Sequence, residues 1–503
     1  MWGHRLRNET VRHSAIGLAL LLGFGTACGT RVERAASRSL ATPVSAPQAA
    51  TTGQPSLGAG ATQPLASSEA HPPTEAPAAT NVTKPALLPA NQGAVSMHAG
   101  ASPPAAEPRP SNSPPVTASP TTSPQPGPST ASTPNPRGAM PIVVASLGTY
   151  SGPAASTLKP ILEGAQVWVK YINAKGGVNG HPVKYVVYDN GGDPARNRAQ
   201  AQEAVEHQHA IGFLLNAEAL VGQSAADYLA AKRVPVVGVD GANDFVYDNP
   251  MYFVQHPAGK TLYLSFVLST AQQVVPTGKT KLGVLTCAEA QGCTDTDKIF
   301  ADRAQQLGLD PVYRGRASIA QPDFTAECLS ARNAGVQTFF VFLDGNSVER
   351  VVNSCSRQGF HPQYASASSV LLDRFKDIPE LDGLIAPVSV FPYFQTGQPG
   401  PDEFQQAVKS YGGGISLGVG TAVGWTAGKL LEKAAARLPD PPTSEGLLVG
   451  LWTISNDTLN GLTTYPLTFS QNGRSERHSC WINVKLAHGA WTSRDGYQSH
   501  CGS

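Results

Sequence analysis

At Met140 the chain changes material, and no other feature constrains its folding as strongly. From about Ala41 to Arg137 it is Pro, Ala, Ser and Thr with hardly any aromatic residue, in pieces such as PPAAEPRPSNSPPV and SPTTSPQPGPST. Such a segment cannot bury enough apolar surface to offset the entropy of ordering. It is expected to be a Pro-stiffened, semi-extended tether, reaching at most a few hundred ångströms at roughly 3.1 Å per residue. Two readings stay open: a spacer lifting a folded body through an envelope or wall layer, or low-complexity drift with no length requirement. The whole-chain figures, 42 Pro, 50 Gly and 15% charged residues in 503, blend this stretch with a different one after Met140. A formal net charge of +1 supplies no field to draw the chain to nucleic acid or acidic lipid.

Beyond Met140 apolar runs and amphipathic stretches alternate. PIVVASLG, VKYVVYDN, IGFLLN and VPVVGV read as strands; LEGAQVWVKYINAKGG, RNRAQAQEAVEHQHA and SAADYLAAKR read as the helices between them. The pattern breaks near His256 to Lys260 and restarts. TKLGVLTC, PVYRGRAS, VQTFFVFL, QYASA and GLIAPVSV are expected strands, separated by DKIFADRAQQLG, DFTAECLSARNAG and SVERVVNSCSRQGF as helices. Helical stretches DEFQQAVKSYG and GTAVGWTAGKLLEKAAARL follow, and strand-like pieces near TTYPLTFS and CWINVKLA end the chain. Strand–helix alternation with short connections calls for parallel, doubly wound sheets. Two such units in tandem predict an α/β body of two lobes with more than one crossover. Lobe 1 is expected at about 140–257 plus 392–455 and lobe 2 at about 262–388 plus 460–503, after residues 29–139 as tether.

Residues 1–28 read as a targeting segment. Arg5, Arg7 and Arg12 form a basic region, and Ala15 to Phe24 is an apolar run too short to span a bilayer as a mature helix. Gly25-Thr26-Ala27-Cys28 resembles a bacterial lipobox, which implies lipidation at Cys28; Gly25 stands where an aliphatic residue is usual. The alternative is an ordinary signal peptide cleaved near Ala27, giving a secreted chain. Of the seven cysteines only Cys28 lies outside the folded body.

Leu147-Gly148-Thr149-Tyr150-Ser151-Gly152-Pro153, Glu163-Gly164-Ala165, Ile172-Asn173-Ala174-Lys175-Gly176-Gly177-Val178-Asn179-Gly180 and Tyr188-Asp189-Asn190-Gly191-Gly192-Asp193-Pro194 follow in order. This run resembles the type 1 periplasmic binding proteins of the leucine/isoleucine/valine-binding kind, the substrate-binding subunits of ABC importers. The resemblance covers about Pro141 to Ser503 and is stronger in the first lobe. Elementary stereochemistry fits it: Lys175-Gly176-Gly177 as a helix stop, Asn179-Gly180 as a tight turn, and Asp193-Pro194 as an N-cap followed by Pro at the first helical position.

In such folds ligands bind beyond the carboxyl ends of the strands. The loops in question are Ser151 to Thr157, Asn216 to Leu220, Asp240 to Asn243, Thr286 to Gln291, Asp344, and Ser366 to Ser368. The expected ligand contacts are Ser151, Thr157, Ala217, Glu218, Asp240, Ala242, Gln291, Asp344 and Ser368. Amino-acid-binding members hold the ligand carboxylate with hydroxyl residues of the third and fourth loops, and the ammonium with an acidic residue and tyrosines of the second lobe. Here Ala219 and Ala242 stand at hydroxyl positions, Gln291 and Asp344 at tyrosine positions, and Ser368 at the acidic one. The cleft instead gains Glu218, Asp240 and Asp344, which suit hydroxyls or a cationic group on the ligand. The plainer readings are a turn at Asp240-Gly241 and a solvated loop charge at Glu218. Phe391-Pro392-Tyr393 either walls the cleft or packs the hinge.

Six cysteines in an exported body predict disulfides. Sequence order favours Cys287–Cys293, Cys328–Cys355 and Cys480–Cys501 among fifteen pairings. A zinc site is the weaker alternative, since no CxxC or paired Cys/His spacing occurs. No G-x-S-x-G, H-E-x-x-H or P-loop is present. Gly418 to Gly424 has neither the spacing nor the preceding strand of a dinucleotide loop and reads as a small-residue helix face. No enzymatic activity, cofactor or metal is expected. The expected partners are a small solute, ABC permease subunits and the membrane through Cys28, with the chain monomeric. A tethered ligand sensor and a structural envelope protein remain as alternatives.

Overall fold

The computed structural model describes residues 139–471 and 473–503. The targeting segment, Cys28 and the Pro-rich tether lie outside the described residues. The first unit runs β1 (Ile142–Gly148), α1 (Ala155–Ala174), β2 (Val183–Asp189), α2 (Pro194–Glu206), β3 (Gly212–Asn216), α3 (Gln223–Ala231), β4 (Val236–Val239) and β5 (Tyr252–Phe253). Its five strands are all parallel, in the order β2-β1-β3-β4-β5. The apolar runs of β1, β3 and β4 are buried almost throughout, as strands covered on both faces must be, whereas the edge strand β2 is largely half-buried or exposed. Asn179 and Gly180 both have positive φ, and Val178 and His181 exchange backbone hydrogen bonds around them, the geometry an Asn-Gly pair adopts most readily.

The chain then crosses to the second unit through residues 254–258. There α4 (Gly259–Val274) leads into β6 (Lys281–Cys287), α5 (Gln291–Arg303), β7 (Asp310–Ala317), α6 (Thr325–Asn333), β8 (Thr338–Phe342), α7 (Gly345–Arg357), β9 (Gln363–Ser366) and β10 (Ile385–Val388). A second crossing brings α8 (Pro399–Tyr411), α9 (Val419–Ala434) and α10 (Ser444–Trp452) back to the first unit. A third returns the chain for β11 (Cys480–Ala487), β12 (Ala490–Thr492) and β13 (His500–Cys501). The second sheet has the order β12-β11-β10-β9-β8-β6-β7, with β13 also paired to β11. It is parallel from β7 to β10, and its C-terminal strands are antiparallel additions. The fold is a two-lobed α/β body with mostly parallel sheets and three crossovers.

The small residues of α9 press directly on α1. A Cβ added at Gly424 would lie 2.0 Å from the Ile161 carbonyl oxygen, and one at Gly164 would lie 2.1 Å from that of Thr421. The Gly418–Gly424 stretch is therefore a helix-packing surface. The three disulfides pair Cys287–Cys293, Cys328–Cys355 and Cys480–Cys501.

Two expectations need correction. TTYPLTFS forms no strand; it makes single bridges, Thr463 to Val390 and Leu467 to Asp457, and Pro466 has no N–H to extend a ladder. The break expected near His256 to Lys260 runs into the long helix α4, most of whose residues carry no expected element. That helix is buried on most of its faces and so shows little amphipathic contrast. Among the described residues no helix is long and apolar enough to cross a membrane.

Candidate functional site

A cavity of about 90 Å³ lies where the carboxyl ends of the two sheets face each other. The first lobe supplies Thr157, Leu158 and Ile161 from α1, Ala219 and Leu220 after β3, and Asp240 and Ala242 after β4. The second supplies Leu262 and Tyr263 from α4, the Cys287–Cys293 disulfide with Glu289, Ala290 and Gly292, Ile319, Phe342 to Asp344 after β8, and Ser369 and Val370. Apolar side chains predominate, which is the ordinary character of a solute pocket.

The lobes also touch directly. Ser156 Oγ donates to Asp344 Oδ1 at 2.7 Å, the Gly345 N–H reaches Thr157 Oγ1 at 3.4 Å and the Asn346 N–H reaches Ser156 Oγ at 3.4 Å. Asp344 is the N-cap of α7, accepting from the Asn346 and Ser347 N–H groups, and Ser347 Oγ donates to its other oxygen. The first turn of α1 thus meets the first turn of α7 through a capping carboxylate that serves both.

Thr157, Asp240, Ala242 and Asp344 are brought together on the cavity wall, and the other expected contacts stand elsewhere. Ser151 is exposed and hydrogen-bonds Asp189. Ala217 lies within the first sheet, its N–H donating to the Leu147 carbonyl and its own carbonyl accepting from Thr149. Gln291 is exposed in the first turn of α5, donating to Asp295. Ser368 is buried beside the cavity, but its neighbours Ser369 and Val370 form the wall. Phe391 packs on Phe404, and Tyr393 on Phe394, at the second crossover and not on the cavity wall.

Glu218 neither lines the cavity nor sits in solvent. It is buried and accepts from Asn197 Nδ2 at 2.6 Å, the end of a chain running Thr149, Asn190, Asn197, Glu218 under the β-strand ends. Burial pushes its carboxyl up to about 8, so it is largely protonated at neutral pH. Asp240 is also buried. Its Oδ1 accepts from the Ala242 N–H at 2.8 Å, forming the turn expected of Asp-Gly, and its Oδ2 has no hydrogen-bond partner among the described residues. Burial raises this carboxyl to about 6, against the lowering effect of backbone N–H groups.

The wall residues Tyr263, Phe342, Ile319 and Ser369 were not legible as site residues. Apolar side chains in strands and helices read as core, and Tyr263 belongs to the helix that the sequence pattern hides. Tyr263 donates its hydroxyl to the Ala242 carbonyl, tying α4 of one lobe to the fourth loop of the other. Among the described residues no group of three or more His, Cys, Asp or Glu side chains is placed to hold a metal ion.

Two lobes face each other over a small cavity at the strand ends and are joined by three crossovers, the arrangement of a two-lobed binding-protein fold. The chain belongs to the periplasmic binding protein family, whose profile matches residues 141–482. This is a family of extracytoplasmic solute-binding proteins, in general non-enzymatic. The leucine-specific-binding protein of Salmonella typhimurium is 25% identical over 233 residues, 46% of this chain and 61% of that relative. The chain thus matches less than two thirds of the length of that curated relative. Among solved structures, a branched chain amino acid ABC transporter protein from Thermus thermophilus with bound valine has a TM-score of 0.62 at 15% identity, covering 73% of this chain and 98% of that one. A possible leucine/isoleucine/valine-binding protein from Rhodopirellula baltica also scores 0.62, at 16% identity over 72% and 98%.

Proposed function

We propose that the chain is an extracytoplasmic receptor that captures a small solute between its lobes, an amino acid or a related compound, and delivers it to an ABC importer. It is held at the bacterial membrane by lipid on Cys28 and acts as a monomer. The observation that carries this reading is the cavity walled by both lobes at the strand ends. A solute there touches both walls at once and so stabilises the closed arrangement over an open one. The relatives whose names specify leucine or valine support the solute class. The departures at Ala219, Ala242, Gln291 and Ser368 argue that the solute is held differently here.

A thermal-shift screen of the full chain, disulfides intact, against amino acids, amides, polyols, sugars and polyamines tests the proposal. A saturable rise in Tm with one class is expected, because a ligand of the native state alone stabilises it. No rise with any class, in protein free of co-purified ligand, overturns solute capture and leaves a structural envelope role.

A further inference from the structure

The charges on the cavity wall have one sign. Asp240, Glu289 and Asp344 line it, and no Lys, Arg or His among the described residues does. Two of these carboxylates are fully engaged. Glu289 accepts from Ser318 Oγ, the Ile319 N–H and the Ala288 N–H. Asp344 accepts from Ser156, Asn346 and Ser347, with Arg350 Nη2 4.0 Å behind it. Asp240 is different: it is only 7% exposed, one oxygen is bound to the Ala242 N–H, and the other makes no full hydrogen bond, with the Glu218 and Ala219 backbone N–H groups turned toward the carboxylate. A buried carboxylate oxygen left unpaired is costly, and a partner that brings a positive donor removes that cost.

We infer that the solute is a small apolar amine, its ammonium donating to Asp240 Oδ2 and its hydrocarbon body lying against Ile161, Leu262, Phe342 and Val370. This inference rests on the solute-capture reading above and narrows it. A carboxylate on the solute would enter a wall that carries three carboxyl groups and no cation, and the Ser156 hydroxyl already donates to Asp344 across the cleft, which leaves Thr157, an acceptor from the Gly345 N–H, as the one of these two first-turn hydroxyls with a proton to give. The faces of Tyr263 and Phe342, with ring centroids 6.2 Å apart, offer further favourable surface to a cation. The cavity of about 90 Å³ is smaller than the roughly 150 Å³ that accommodates benzene, which sets the body at about four or five heavy atoms.

The test is titration of the full chain at pH 8 with four isosteres: isobutylamine, isobutyrate, isobutanol and valine, followed by calorimetry and Tm. Isobutylamine is expected to bind saturably and isobutyrate not at all. Asp240→Asn keeps an oxygen for the Ala242 N–H, so it should melt close to the parent yet bind the amine roughly 30-fold more weakly. Binding of isobutyrate or valine as tightly as isobutylamine overturns the amine inference and leaves solute capture standing. So does binding of another class in the wider screen without isobutylamine. If nothing binds in either experiment, both fall. Should Asp240→Asn fail to fold, discrimination between isobutylamine and isobutyrate by the parent chain decides alone.

Discussion

The two lobes face the same cavity but are built on opposite terms. The second lobe is covalently stapled, and the carboxylates it turns toward the cavity are engaged by donors. All three disulfides lie there, its cleft carboxylates Glu289 and Asp344 are saturated with donors, and its sheet is extended by antiparallel strands stapled at Cys480–Cys501. The first lobe holds together without a disulfide, through α1 and α9 packed glycine to backbone, and it keeps two buried carboxyl groups under tension at the ends of β3 and β4. The difference is one of construction: the second lobe is cross-linked and its cavity carboxylates are paired, while the first lobe holds buried acids raised by desolvation.

The largest effect should come from loosening the second lobe. Cys328 and Cys355 are wholly buried on α6 and α7. Replacing both by Ala is expected to remove about 2–4 kcal/mol of stability. Denaturant unfolding at a fixed pH checks this. If the second lobe owes its rigidity to side-chain packing alone, the midpoint will not move.

The next effect lies under the first lobe and has the opposite sign. Glu218 titrates near 8 when folded and near 4.5 when unfolded, so between those values the native state holds the extra proton. Stability therefore falls as pH rises through that window and levels off above about 8. Glu218→Gln keeps an acceptor for Asn197 and has no charge to bury. It should equal the parent near pH 4.5 and exceed it by about 2 kcal/mol at pH 8, roughly half the full linkage after relaxation around the buried site. The Asp240 charge is among the causes that hold the Glu218 carboxyl up, and because Asp240 ionises first, near 6, the substitution should leave its titration largely in place. Paired melting curves at pH 5 and pH 8 measure the difference; a parent no less stable than the variant at pH 8 would show that Glu218 is not a buried acid.

The contrast between lobes also explains what could be read from the sequence. Buried parallel strands such as IVVASLG and GFLLN announce themselves as apolar runs between turn residues, so the α/β alternation and the restart after His256 were legible. The helix α4 was not, because burial on most faces erases the period that marks a helix at a surface. The same logic governs the site. Asp240 was legible from topology, standing in the loop after β4. Glu218 lies in the neighbouring loop with the same credentials, yet its side chain turns beneath the sheet to Asn197. No local signal separates the two, since the difference is set by α2, packed from elsewhere in the chain. Tyr263 and Phe342 face the cavity with side chains that would suit any core.

The smallest effect tests whether the lobes communicate at all. Ser156 Oγ is the one side-chain donor of α1 that reaches Asp344, and Asp344 keeps its two N–H donors from α7 if that hydroxyl is lost. Ser156→Ala should therefore leave each lobe intact and subtract about 1 kcal/mol from the closed arrangement alone. A solute that binds between the lobes feels closure as part of its own affinity, so the loss should appear as a roughly five-fold weaker apparent Kd for whichever solute the screen identifies. The change should lie mainly in a faster off-rate, because the contact forms after the solute has reached the first lobe. Small-angle scattering should show the unliganded variant more expanded than the parent. If affinity falls without expansion, Ser156 is touching solute and not holding the lobes together. If neither changes, the bond between α1 and α7 carries no closing energy, and the second lobe is a passive wall against which the first does all the recognising.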